Sequence, residues 1–171
     1  MKGEDPVLRK KVLREINEDF HQADKLNEAL DSGVLMCLVY CCREQDDVIR
    51  ELASRAILKI ANTEKGRVTL VSSRSLAIVA NLFDDTVTQI RDNAYTCLIN
   101  LAQFVYGISS IIDADILRVL VEKLVGEREE SILILILQLM NILLEGDMAT
   151  SLLLNTPVLA RLNMHLTAPK W

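Results

Sequence analysis

The feature that most constrains this chain is that it repeats itself. The segment Asp47 to Ala61, moved forward by 41 positions, lands on Thr88 to Ala102. Arg50 then meets Arg91, Ala53 meets Ala94, Ile57 meets Leu98, Ile60 meets Leu101 and Ala61 meets Ala102. Moved back by the same step, Arg50 meets Arg9, Ile49 meets Leu8 and Ile57 meets Ile16. A further forward step puts Leu98 on Leu139, Asn100 on Asn141 and Leu101 on Ile142. A second block keeps the period: Leu35, Leu76, Leu117 and Val158, then Val39, Ala80, Val121 and Leu162, with Gly66 and Gly107 in step. Such a rhythm belongs to architectures in which one small unit buries its apolar face only against its neighbours.

Within the unit the apolar residues follow a helix. Ile49, Ala53, Ala56, Ile57 and Ile60 fall at i, i+4, i+7, i+8 and i+11, which is one face. Alanine at the inner positions lets neighbouring helices come close. Composition agrees: half of the 171 residues are hydrophobic but only 4% aromatic, so the core is Leu, Ile, Val and Ala. Six Gly and three Pro are too few turn residues for a many-stranded sandwich or barrel. The spacing predicts long helices over 6–20, 47–62, 88–105 and 129–145. It predicts second helices near 33–43, 74–83, 114–125 and 156–166, and short ones over 22–31, 64–72, 108–112 and 147–154. The run Ile132 to Leu137 alternates as a strand would, but it stands in a long-helix slot and is assigned to a helix. Exposed, it would be the least soluble piece of the chain.

The expected fold is therefore all-α, a right-handed α-solenoid of about four units over residues 5–166, with bounds near 5–45, 46–86, 87–127 and 128–166 and a short tail over 167–171. Asp5 and Asp46 stand where N-caps would, ready to accept from first-turn N–H groups. Arg50 and Arg91 lie near the positive end of a helix, which is unfavourable, and are expected to pair with Asp47 and Asp92. The scattered glycines are expected at left-handed helix junctions. The first unit carries Glu15 and Asp19 where apolar residues would be usual, and the last closes without a polar capping helix, so its outer face offers room for a partner.

A unit of this length, with a long helix reading x-Val-Ile-Arg-x-x-Ala-x-x-Ala-Ile, a following Lys65-Gly66 and the segment Ile112 to Val121, resembles the armadillo repeat. The resemblance covers about residues 5–166. Within that family Leu120 to Val125, Glu127 to Glu130 and Ile134 to Thr150 are most similar to the armadillo protein family of the ciliary radial spoke head. This resemblance implies a non-catalytic, structural subunit of a ciliary or flagellar axoneme, held by protein partners, in the cytoplasm or cilium.

Some armadillo proteins hold extended peptides with a ladder of Asn and a Trp one turn earlier. The ladder position here reads Glu18, Lys59, Asn100 and Asn141, and the position four residues before reads Arg14, Arg55, Thr96 and Leu137. Two Asn are present and no Trp, so an import-type groove with aromatic shelves is disfavoured. The candidate partner-binding residues are Arg55, Lys59, Thr96, Asn100 and Asn141, in a soluble adaptor that takes an extended peptide or a partner helix along the armadillo groove. The bland alternative is that these Asn satisfy backbone groups between packed helices.

Other chemistry finds little footing. Cys37 and Cys41 are one turn apart with Cys42 beside them, but a closed zinc site needs four ligands, and His21 and His165 belong to opposite ends. Reduced cysteines buried in apolar helices are expected, with no metal and no cofactor. Two distant His leave a nucleophile without a base, so no catalytic residues are assigned. A net charge of −5 without a basic stripe argues against nucleic acid. Glu127-Arg128-Glu129-Glu130 reads as a solvated turn whose acids favour the helix that follows. The N-terminus shows no signal peptide, and the longest apolar stretch, Ile132 to Leu144, is only 13 residues, short of a membrane span. No small-molecule substrate is expected.

Overall fold

The computed structural model describes residues 5–104 and 106–145. Every regular element among them is a helix: α1 (Pro6–Asp19), α2 (Ala23–Asp31), α3 (Val34–Cys41), α4 (Asp47–Ala61), α5 (Glu64–Ser72), α6 (Leu76–Asn81) continued by a 3₁₀ turn at Leu82–Asp84, α7 (Thr88–Ala102), α8 (Gly107–Asp113), α9 (Ile116–Gly126) and α10 (Glu130–Leu144). Packing runs in chain order, α1 against α4, α4 against α7 and α7 against α10, with the shorter helices closing each gap. The expected helices over 147–154 and 156–166, the tail over 167–171, and Val158, Leu162 and His165 lie outside the described residues.

The apolar face read from the sequence is the buried one. Ile49, Ala53, Ala56, Ile57 and Ile60 are all buried, as are Ile90, Ala94, Leu98, Leu101 and Ala102. Each fully buried Leu or Ile contributes roughly 1.5–3 kcal/mol, and the described helices, none longer than 15 residues, are at best marginal alone in water. The second block is buried too, with Leu35, Leu76 and Leu117 in step and Val39, Ala80 and Val121 one turn on. Ile132 to Leu137 is helical, inside α10, so the repeat register outweighs its alternation. Asp5 Oδ1 accepts from Val7 N at 2.9 Å, and Asp46 Oδ1 from Val48 N and Ile49 N at 3.0 and 3.2 Å, so both are caps as expected.

The glycines have a different reason from the one expected. Among the described glycines only Gly33 is left-handed, with φ +80°. Gly66 and Gly107 sit where a short helix crosses the end of the preceding long one. A Cβ there would lie 1.9 Å from Ile60 O or 1.8 Å from Leu101 O, closer than atoms can approach. The left-handed position does recur every 41 residues, as Gly33, Arg74 (φ 54°) and Asp115 (φ 56°), so two units place side-chain-bearing residues in a strained turn.

One further departure is a change of step. α4 begins at Asp47 and α7 at Thr88, 41 residues on, but α10 begins at Glu130, 42 residues after Thr88. The extra residue lies in the turn around Gly126, after buried Leu124, which still keeps the 41-residue step from Phe83. Counted by 42, Ile90, Ala94, Cys97, Leu98 and Leu101 fall on Ile132, Ile136, Leu139, Met140 and Leu143, all buried.

Candidate functional site

The long helices carry both the locks of the stack and the candidate binding residues. The locks come first, because they fix how one long helix meets the next. Arg9 Nη1 reaches Glu44 Oε1 at 2.6 Å. Arg50 Nε and Nη2 grip both oxygens of Asp85 at 2.6 and 3.0 Å, and Arg91 Nε lies 3.2 Å from Glu127 Oε2. In each case an arginine in the first turn of a long helix holds an acid in the turn that leads to the next long helix. Asp85 and Glu127 serve twice. Asp85 accepts from Val87 N at 3.0 Å, and Glu127 from Arg128 N and Glu129 N at 2.9 Å, which shapes the turns that lead into α7 and α10. Arg50 also pairs with Asp47 at 2.8 Å, as expected, whereas Arg91 pairs with Glu127 and not with Asp92. Its Nη1 donates to Asp85 O at 2.9 Å, so Asp85 ties two successive arginines together.

The charge environment follows from this. Burial alone would raise the Asp85 carboxyl, but the Arg50 hydrogen bond, the Val87 N–H and the nearby Arg91 outweigh it and hold it below the usual carboxylate range. Glu127 is lowered likewise: its burial is outweighed by the Glu129 and Arg128 N–H groups and by Arg91. The acidic run is therefore not merely a solvated turn, since Glu127 clasps α7 while Glu129 and Glu130 stay exposed.

The candidate binding residues lie further along the same helices. Arg55 is exposed and paired one turn back with Glu51 at 2.5 Å. Lys59 Nζ donates to Asn17 O at 2.5 Å and lies 3.0 Å from His21 Nε2. Burial lowers the Lys59 ammonium, and Arg55 adds to that while Glu18 opposes it. Asn100 Nδ2 donates to Asn62 Oδ1 at 2.6 Å, bridging α7 to the end of α4. Thr96 is half-buried one turn before Asn100. These bonds join α1 to α4 and α4 to α7 as a polar seam over the ends of three long helices.

Asn141 is not on that seam. The 42-residue step puts half-buried Ile142 in register with Lys59 and Asn100, and leaves Asn141 exposed elsewhere on α10. The asparagines that satisfy buried groups between helices are two others. Asn17 Nδ2 donates to Leu13 O and Leu52 O at 2.8 and 2.9 Å, and Asn93 Nδ2 donates to Ser54 Oγ at 2.9 Å. Asn62 and the acids Glu44 and Asp85 carry no sequence expectation, while His21 is expected only as a lone histidine and Glu127 only as part of a solvated turn. For Glu44 and Asp85 a signal was present, a second pair of acids one period apart.

Cys41, Cys42 and Cys97 are buried, but Cys37 is exposed on α3, against expectation. Burial pushes the Cys42 and Cys97 thiols up to about 12, with Cys41 adding to the effect on Cys42. Among the described residues no three His, Cys, Asp or Glu gather as a metal would need, and no helix is long and apolar enough to cross a membrane.

No family model matches the chain. Solved structures do. An engineered protein is 21% identical with a TM-score of 0.80, over 99% of this chain and 70% of its own. A set of computationally designed armadillo repeat proteins for modular peptide recognition is 20% identical, with a TM-score of 0.81 over 97% of this chain and 71% of its own. A designed armadillo repeat protein in complex with the peptide (KR)4 is 19% identical, with a TM-score of 0.81 over 99% of this chain and 72% of its own. At such identities the likeness speaks for the backbone, and the backbone of this chain has an armadillo-like repeat fold.

Proposed function

We propose that the chain is a non-catalytic protein-binding scaffold that takes an extended peptide along its long-helix face, at Arg55, Lys59, Thr96 and Asn100. The observation that carries this reading is the Asn62–Asn100 pair. A single bond joins the two amides, which leaves the Asn62 amino group and the Asn100 carbonyl to face a ligand. A peptide backbone presents the complementary C=O and N–H in alternation, and a side-chain amide answers both. The designed proteins that share the fold are made to recognise peptides, and one of them holds a basic peptide. Here Arg55 and Lys59 stand on the candidate face, so like-charge repulsion favours a neutral or acidic ligand. The division into units near 5–45, 46–86, 87–127 and 128–166 belongs to the same reading, and Asn141 belongs to a separate surface.

The test is selection from a displayed library of short linear peptides, followed by anisotropy titration of the best binder. Replacing Asn62 and Asn100 by Ala removes about two hydrogen bonds, each with a net contribution of roughly 0.5–1.5 kcal/mol, so affinity should fall about tenfold at unchanged helicity. Unchanged affinity would refute the face. A second, narrower reading places the scaffold in a ciliary radial spoke. It is supported by the sequence resemblance over Leu120 to Thr150, and the protein should then remain with axonemes when soluble cytoplasm is washed away.

A further inference from the structure

Each long helix has one flank toward the helix before it and one toward the helix after it. The forward flank is identified by its bonds: Asn17 of α1 reaches Leu52 O of α4, and Ser54 of α4 accepts from Asn93 of α7. Leu13, Ser54 and Tyr95 are the corresponding forward positions on α1, α4 and α7, with exposures of 3%, 2% and 0%. On α10, at the 42-residue step, that position is Leu137, and it is 50% exposed. Ile134 is 57% exposed, Leu144 is 36% exposed, and Asn141 is exposed between them.

Ile134, Leu137, Asn141 and Leu144 are separated by three, four and three residues, the a and d spacing of a coiled-coil seam. Of the residues between them, Leu135, Ile136, Leu139, Met140, Ile142 and Leu143 are buried or half-buried in the stack, and only the polar Gln138 is exposed. The seam is therefore narrow and held on a rigid helix, which lowers the ordering cost of docking. From Ser131 to Leu144 there is no charged residue, so two copies of this surface meet without repulsion. The residue choice is also specific: Ile at a, Leu at d and one Asn at a favour two parallel strands in a fixed register.

We propose that α10 is a dimerisation helix: its Ile134–Leu137–Asn141–Leu144 seam pairs in parallel with the same seam of a second copy about a two-fold axis, with the two Asn141 amides facing each other. The contact is isologous and closes at two. One short helix per partner buries less than a standard interface, so the dimer is a weak, reversible one.

Sedimentation equilibrium of the full chain over about 1–300 μM, a range that brackets micromolar affinity, should show monomer and dimer in exchange. Leu137→Glu should weaken association at least about tenfold, because two charges would be desolvated face to face. Leu137 is exposed in the monomer, so the variant's thermal melt at low concentration should match that of the parent. A chain with Cys37→Ser and Asn141→Cys should form a disulfide-linked dimer under mild oxidation, because paired a positions lie near the roughly 4.4–6.8 Å Cα separation that a disulfide spans. A monomer throughout the range, a dimer indifferent to Leu137→Glu, or no cross-link at Asn141→Cys would each overturn the proposal.

Discussion

The two outermost long helices among the described residues, α1 and α10, carry unlike outer flanks. The backward flank of α1 corresponds to Ile49, Ala53, Ala56 and Ile60 of α4, yet it reads Leu8, Val12, Glu15 and Asp19. Lys11 spans to Glu15 across that surface, and Asp19 is held by Lys25 at 2.5 Å. Val7 and Leu8 remain exposed, but charges stand in the last two turns, and burying them would cost more than the apolar contact returns. The forward flank of α10 has no such device and presents an uncharged seam. The described stack is thus directional: the flank of α1 is solvated by substitution at repeat positions, and the flank of α10 keeps the stickiness of an interior joint.

The comparison presumes that every interior joint is built alike, so the hardest way to break it is at a joint. Gly107→Ala should destabilise the chain by about 3 kcal/mol, because a Cβ cannot be placed beside Leu101 O without moving α8 off α7. Chemical denaturation measures the loss, and a change within about 0.5 kcal/mol, the range of a neutral surface substitution, would mean that the crossing is looser than described.

Next in size is the clasp. Asp85→Ala leaves Arg50, itself only 14% exposed, without its bidentate partner and should cost about 2 kcal/mol. That is less than the loss of a fully buried pair, because water still reaches the site. Glu44→Ala at the more exposed first joint should cost about half as much. The pH dependence has a definite sign. Asp85 and Glu127 are lowered in the folded chain, so their stabilisation is present above the unfolded carboxylate range near about pH 4 and is lost as pH falls through the folded values. Melting temperature against pH should drop on that acid limb, and Asp85→Asn should flatten it.

Smaller effects separate the two ends. Arg74→Gly should stabilise by about 1 kcal/mol, since glycine takes a φ of 54° without strain, which would show that the turn at 74 keeps its shape without its side chain. Val12→Glu on α1 should shift stability by no more than about 0.5 kcal/mol and leave self-association untouched. The same charge at Leu137 should abolish most of the dimer. Equal responses at Val12 and Leu137 would erase the asymmetry.

The helices and their buried faces were legible because helical spacing and a fixed step are properties of the chain itself. Leu35, Leu76 and Leu117 or Ala53 and Ala94 needed no neighbour to be recognised. What escaped depends on partners distant in sequence. Arg91 was assigned to Asp92, one residue away, when its acid is Glu127, which reaches it only once the stack has formed. Gly66 and Gly107 were in register, but their reason is a carbonyl six residues back that a crossing helix nearly touches. The inserted residue near Gly126 went unseen because Leu-rich α10 matches its predecessor almost as well one position out of step, and so Asn141 was placed on a seam to which it does not belong.

The account stands on long helices laid side by side in chain order. Spin labels placed at Arg14 on α1 and in turn at Arg55 on α4, Thr96 on α7 and Gln138 on α10 measure this directly, in a Cys37→Ser, Leu137→Glu background that is monomeric and free of the one exposed thiol among the described residues. Neighbouring packed helices lie about 8–10 Å apart, so the mean distance should lengthen by about that much at each step from α4 to α7 to α10. Distances that stay level, or that fall again at α10, would mean that the helices gather around a common centre and would contradict the stack.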